Sequence, residues 1–337
     1  LHGHVNDAIE AFAVRYRTFI DLPIECHPTD SLRSFNRLLT AISTTPYRLY
    51  LLIDEYDNFA NEVMINPLRG THRYEELVQG EGTIKTLFKA VKFAASGRGL
   101  DRVFITGVSP VVLSDMTSGY NVAEDLSQRP RFHDLCGFTG TELRAALEAT
   151  AAAHDLDAGL VDAALDLMRD FYNGYRFTSQ REERVYNPTL ALYFLKRLAE
   201  DGAFPERLLD DNLAMDRNRI QYVARLPHGE TLVNRALDPA EPLTVSQLVN
   251  RFGVRDMLTA PRTPDFLATL LYYFGVLTLA GRDALGKLVL TIPNQVIRKL
   301  YVERLQEQVL PDYGDQEQRQ AVIERFYATG DLGPLCD

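Results

Sequence analysis

Tyr47-Arg48-Leu49-Tyr50-Leu51-Leu52-Ile53-Asp54-Glu55 is the stretch on which the fold of this chain turns. From Tyr47 to Ile53 it is an almost unbroken apolar run, interrupted by Arg48, and it stops on two adjacent carboxylates. A run this short suits a strand buried on both faces, as in a parallel sheet. Downstream, Arg102-Val103-Phe104-Ile105-Thr106-Gly107 has the same texture and reads as a second buried strand. Between them, Ile84, Leu87, Phe88 and Val91 recur at helical spacing within Gly82–Ala95, and Ser96-Gly97-Arg98-Gly99 stops that helix. Strand, helix and strand with a connection of this length predict a parallel crossover.

Upstream, Ile9, Phe12, Ala13 and Tyr16 predict an amphipathic helix from about Asn6 to Ile20. Asp30-Ser31 predicts the start of a second helix reaching about Ile42, broken by Thr44-Thr45-Pro46. Downstream, Asp134–Phe138 reads as a further short strand. An Ala-rich helical region opens at Thr141-Glu142-Leu143 and continues through Leu165 to Phe171. Tyr172-Asn173-Gly174-Tyr175-Arg176-Phe177 is a turn flanked by aromatics, and Asn187-Pro188-Thr189 starts a helix to about Leu198. The tract from Asp201 to Pro227 gives no clean period. The last third reads as helices over Val245–Phe252 and Pro264–Phe274, a hairpin of Val276–Leu279 with Leu288–Ile292, and a helix from Gln295 to about Val309.

The bulk numbers are those of an ordinary globular protein: 337 residues, 46% apolar and 24% charged. A net charge of −10 argues against a global electrostatic grip on nucleic acid, while a local basic face stays open. Cys26, Cys136 and Cys336 are widely spaced, so neither a disulfide framework nor a zinc site is indicated, and idle thiols in a reducing cytoplasm are expected. No segment approaches the roughly 18 apolar residues of a membrane helix. Leu1-His2-Gly3-His4 is no signal peptide. Both ends read as cut, so the chain is expected to be an internal fragment of a longer protein.

Chemistry concentrates at the ends of the two strands. Open α/β sheets bind ligands beyond the carboxyl ends of their strands. In nucleoside triphosphatases with a phosphate-binding loop, the first carboxylate at such a strand end holds Mg²⁺, directly or through water. The second can polarise the attacking water. Asp54 and Glu55 suit those two tasks, because a hard cation and a water both need oxygen donors held rigidly. The alternative is a strand that ends in solvated charges. Thr106 and Ser109, at the tip of the second strand, are candidates for contact with the γ-phosphate or its water. Three arginines lie close by, Arg98 in the loop before the second strand and Arg129 and Arg131 flanking Pro130; the last two are candidates for stabilising transition-state charge, with solvated surface groups as the alternative. His133 is nearest to the site in sequence and reads as a packed histidine. Tyr172, Tyr175, Phe177 and Tyr186 read as core aromatics around a turn.

A phosphate cradle needs GxxxxGK[ST], and no such sequence occurs. It is expected upstream of Leu1. Neither a GxSxG elbow nor an HExxH helix is present.

Leu51-Leu52-Ile53-Asp54-Glu55-Tyr56-Asp57, Phe104-Ile105-Thr106-Gly107-Val108-Ser109, Cys136-Gly137-Phe138-Thr139, Tyr172–Phe177 and Tyr186-Asn187-Pro188 occur in that order. Together they resemble the AAA-ATPase-like family, related to archaeal and signalling (STAND-type) P-loop ATPases and often fused to a C-terminal PD-(D/E)XK nuclease domain. Gly275-Val276-Leu277-Thr278 and Ile292-Pro293-Asn294 are similar to that family's segment before the nuclease. The resemblance implies Asp54 as the Mg²⁺-associated Walker B aspartate, also cofactor-binding with Thr106, and Glu55 as the catalytic glutamate. Thr106 to Ser109 would form the sensor strand end. Asn121 matches a family asparagine without an assignable role. The nuclease signature is absent after Ile297.

The resulting expectation is an α/β, partial P-loop NTPase (ASCE-type) parallel sheet core over 1–140. A helical lid would span 141–230, a winged-helix-like α+β region 231–310, and a helical tail 311–337. In a full-length, cytoplasmic protein it would bind ATP and Mg²⁺, hydrolyse ATP, and couple nucleotide state to an effector such as a nuclease; this fragment alone would be inactive and poorly soluble. The alternatives are a non-catalytic scaffold and a DNA-binding module. A DNA or protein partner would then meet the C-terminal region, where Arg251, Arg255, Arg262, Arg298, Lys299 and Arg304 could supply a basic face.

Overall fold

Asp30 starts the first well-capped helix: its carboxylate accepts the amides of Leu32 and Arg33, both at 3.1 Å. These are the orphan donors of a helix N-terminus, satisfied by a typical capping residue. In the computed structural model of the protein, residues 2–57, 83–97, 99–108, 123–208, 214–224, 226, 228–238, 242–249 and 263–309 are described. Helix α1 (His2–Arg15) ends earlier than its period predicts, because Tyr16 to Phe19 form a turn. Helix α2 (Ser31–Ser43) buries Phe35, Leu38, Leu39 and Ile42 along one face. Each such side chain contributes about 1.5–3 kcal/mol on leaving water.

Strand β1 (Leu49–Ile53) is followed by α3 (Thr83–Ala95) and β2 (Leu100–Ile105), and the two strands pair in parallel. The predicted crossover is therefore present. The expectation of burial on both faces is corrected. Leu49, Leu51, Ile53, Val103 and Ile105 pack on a cluster that includes Phe35, Leu38, Phe88 and Val91. Tyr50, Leu52 and Phe104 point the other way and are exposed, Leu52 at 75%. The period of two in a strand makes the division, and an unbroken apolar run hides it.

The strand expected at Asp134–Phe138 is corrected too. Residues 133–136 turn, and only Phe138 bridges, antiparallel, to Tyr186. The Ala-rich tract is two helices, α4 (Gly140–Ala153) and α5 (Leu160–Tyr172). Thr139 and Glu142 form a reciprocal capping box at the start of α4. Helix α6 (Pro188–Asp201) is capped by Asn187 and ends at Gly202, whose φ is 65°. Leu143, Leu147, Met168, Tyr172, Leu190 and Phe194 make the core of this helical unit.

Beyond it lie α7 (Ala214–Ala224) and α8 (Gly229–Leu237), then β3 (Leu243–Val245) and α9 (Pro264–Tyr273). Strand β4 (Thr278–Arg282), β5 (Leu288–Thr291) and α10 (Gln295–Val309) follow. Helices α7 and α8 are elements that periodicity missed. The helix expected at Val245–Phe252 is corrected, since Val245 closes a strand and 246–249 are not helical; 250–252 lie outside the described residues. Strands β3, β4 and β5 form an antiparallel sheet in the order β3-β5-β4. Helix α9 is buried at every position from Phe266 to Tyr272.

Two joints fasten the helical unit to this sheet. Asn294 Nδ2 donates to the Asn173 carbonyl at 3.0 Å. Gly174, at φ 112°, lies under the Pro293 carbonyl, where no Cβ would fit. At the second joint the Arg176 amide donates to Thr278 Oγ1 at 2.8 Å. The buried Arg176 guanidinium is surrounded by carbonyl oxygens, donating to those of Thr178, Ser179, Arg181 and Ala280. Among the described residues, no helix is long and apolar enough to cross a membrane.

Candidate functional site

Parallel pairing with Leu52 opposite Phe104 and Ile53 opposite Ile105 brings the carboxyl ends of β1 and β2 side by side. The ladder continues past both strands: Thr106 N donates to Ile53 O at 2.8 Å, and Tyr56 N donates to Thr106 O at 3.1 Å. Asp54 and Thr106 are thereby neighbours, and Thr106 Oγ1 donates a hydrogen bond to Asp54 Oδ1. The same oxygen accepts the Glu55 amide at 3.1 Å. Asp54 and Glu55 are both exposed.

Glu55 has φ 50°, in the left-handed region that side chains with a Cβ rarely enter. Such a conformation costs roughly 1–2 kcal/mol. It persists because the backbone on either side is fixed, by Ile53 and Tyr56 in the ladder and by Asp57 below it. Asp57 is fully buried, and both its oxygens accept the Val108 amide, at 3.0 and 3.1 Å. Gly107 completes the floor: a Cβ there would run into the Tyr56 ring and the Asp57 carboxylate. Sequence reasoning placed Asp57 and Gly107 inside motifs but gave neither a role of its own. A glycine following the second strand, opposite an aromatic that follows the first, was the available signal.

The other candidates are placed as follows. Arg129 is exposed and paired with Glu124 at 2.8 Å. Arg131 lies with its guanidinium 5.8 Å from the Phe132 ring centroid. Neither bonds to Asp54 or Glu55 among the described residues. Ser109, Arg98 and Asn121 lie outside the described residues, as do Arg251, Arg255 and Arg262. His133 is buried; its Nε2 meets the Glu183 carbonyl at 2.7 Å and its Nδ1 meets the Phe177 amide at 3.4 Å. One tautomer with the hydrogen on Nε2 satisfies both contacts, so His133 is the packed histidine its sequence context suggested. Of the four aromatics expected in the core, Tyr172, Tyr175 and Tyr186 are buried and Phe177 is half-buried.

The donors at the strand ends fit a magnesium ion better than an all-protein metal cage. No cluster of three or more His, Cys, Asp or Glu side chains able to hold a metal occurs among the described residues. Mg²⁺ commonly takes only one or two carboxylates and completes its shell with water and phosphate oxygens. Asp54 Oδ2, which makes no hydrogen bond among the described residues, is the oxygen open to such a role.

The chain is similar to proteins of known family at its N-terminal third. Residues 1–117 match the AAA-ATPase-like family model, described as a predicted AAA-ATPase. A protein of Azotobacter chroococcum mcd 1, named only as an uncharacterized protein in the vnfD 5′ region, is 26% identical over 302 residues. The match covers 86% of this chain and 49% of that protein, so the chain spans about half the length of its curated relative. Among solved structures, the Aeropyrum pernix ORC1 protein in complex with DNA matches with 16% identity over 89% of this chain and 76% of its own. Its TM-score is 0.32.

Proposed function

We infer that the β1 and β2 ends form the metal- and water-handling part of a magnesium-dependent ATPase site. The observation that carries this reading is the hydrogen bond from Thr106 Oγ1 to Asp54 Oδ1, which joins the two residues expected to work together. Asp54 would hold Mg²⁺, which would neutralise phosphate charge. Thr106 orients the Asp54 carboxylate and can exchange that bond for one to a phosphate oxygen or water. Glu55, held at a left-handed backbone angle, can accept a proton from an attacking water. Ser109 would extend the sensor strand end, and Arg129 or Arg131 would have to exchange present partners to reach a nucleotide.

The sequence holds no phosphate-binding loop, so this reading requires one from polypeptide beyond it. The domain limits near residues 140, 230 and 310 remain part of the proposal, as does coupling to an effector. The order β3-β5-β4 behind two helices supports a winged-helix-like unit. Its helix α9 is buried from Phe266 to Tyr272, so a DNA partner would have to use the hairpin or α10 instead.

The test separates binding from turnover. In a longer polypeptide that includes a phosphate-binding loop, Glu55→Gln should retain ATP·Mg²⁺ binding and lower hydrolysis at least about a hundredfold, the usual scale for a lost general base. Unchanged hydrolysis in that variant would remove Glu55 from the mechanism and favour a non-catalytic scaffold.

A further inference from the structure

A cavity of about 380 Å³ lies where the last turn of α5 meets the segment entering α10. Its size is at the lower end of ligand pockets, which span roughly 300–1,000 Å³. Arg169, Arg184 and Arg298 line it, with Asp170, Asn173 and Gln295. In a chain of net charge −10, three guanidiniums on one cavity reverse the prevailing sign. Arg169 is held by Asp166 at 2.9 Å. Arg184 and Arg298 make no ion pair or side-chain hydrogen bond among the described residues. Their forks are thus available, and their charge favours an anion over a neutral ligand.

The walls are fixed in advance. The bond from Asn294 Nδ2 to the Asn173 carbonyl, and the close seat of Gly174 against Pro293, hold the two sides of the cavity together. Helix α10 also begins at the wall, so its positive end adds to the guanidinium charge. A carboxylate-sized anion would use one fork. A phosphate group has oxygens enough to engage Arg184 and Arg298 at once.

We propose that this cavity is a phosphate-binding site, distinct from the Asp54 strand end, in which Arg184 and Arg298 grip the phosphate and Arg169 lies beside them. The phosphate is either free, as in a short polyphosphate, or part of a nucleic-acid backbone. The proposal does not rest on the ATPase reading.

The test uses the whole 337-residue chain with EDTA present, so that no metal bridges at Asp54. Pyrophosphate is titrated by calorimetry and a short labelled DNA duplex by fluorescence anisotropy. The proposal expects at least one to bind, and Arg184→Gln with Arg298→Gln to weaken that binding about tenfold or more, the scale of a lost charged hydrogen bond. Asp54→Asn should leave it unchanged, which separates this site from the strand end. Pyrophosphate binding that depends on the arginines identifies a free phosphate ligand. Duplex binding alone, with a salt slope reduced by about two in the double variant, identifies a backbone. If the double variant fails to melt cooperatively, Arg298→Lys is read instead, and weaker binding is expected because lysine keeps the charge without the fork. Binding of neither probe, or binding that these variants do not change, overturns the proposal.

Discussion

The Asp57 carboxylate takes the Val108 amide on both its oxygens, at 3.0 and 3.1 Å, from a fully buried position beneath the exposed Asp54–Glu55 pair. The bond crosses from the segment after β1 to the segment after β2, so it fixes the spacing of the two strand ends. Asp57→Ala should therefore loosen the site and cost about 1–3 kcal/mol, the range for leaving a buried donor without its acceptor. Asp57→Asn keeps an acceptor and should cost less. Urea unfolding of the three proteins checks the order, and equal midpoints would remove the structural role given to Asp57.

Gly107 and Gly3 make opposite predictions. At Gly107 an added Cβ meets the Tyr56 ring and Asp57, so Gly107→Ala should lower the melting temperature by displacing the floor of the site. At Gly3, inside α1, a Cβ has nothing within 4 Å. Gly3→Ala should raise stability by roughly 0.5–1 kcal/mol through helix propensity. A thermal melt of both variants in parallel decides the matter, and a tolerated Gly107→Ala would show that Tyr56 can move aside.

How much of this was legible in the sequence varies with the residue. The apolar runs at Tyr47–Ile53 and Arg102–Gly107 mark both strands and their parallel pairing, and Asp30 and Asn187 mark helix starts. The contact between Asp54 and Thr106 follows from that pairing. Which strand face would be covered did not follow, because Tyr50, Leu52 and Phe104 are as apolar as their buried neighbours. The helix expected from Val245 rests on Val245, Leu248, Val249 and Phe252 recurring at i, i+3, i+4 and i+7, a pattern that hides the three-residue strand Leu243–Val245. Arg176 stood inside a motif as one charged residue among aromatics. That it is buried among backbone carbonyls depends on Ala280, more than a hundred positions away, and no local pattern reveals that.

Alkaline pH should unfold the protein earlier than an exposed surface would allow. Burial raises the phenols of Tyr272, Tyr273 and Tyr301 above their ordinary value of 10, and Tyr273, further opposed by Asp125, is pushed up to about 12. In the unfolded chain these groups lose their protons first, so unfolding gains as the pH rises. Their stabilising contribution is complete below about pH 10 and is lost as the pH climbs through about 12 at Tyr273. The Tyr301 hydroxyl is buried and has no hydrogen-bond partner among the described residues. Tyr301→Phe should accordingly leave neutral-pH stability unchanged or raise it by up to about 1 kcal/mol, and flatten the alkaline loss. Melting temperatures of both proteins across pH 8 to 12 would show it, and a destabilised, equally alkali-sensitive Tyr301→Phe would contradict the packing described.

The most direct test of the central claim is calorimetric binding of ATP with and without Mg²⁺, made on this chain and on a longer polypeptide that includes a phosphate-binding loop. The account predicts tight binding only by the longer polypeptide, strengthened by Mg²⁺, with Asp54→Asn abolishing the Mg²⁺ effect while the fold survives. Mg²⁺-dependent binding that is indifferent to Asp54→Asn, or no binding by the longer polypeptide, would contradict it, and the paired strand ends would then be a structural feature alone.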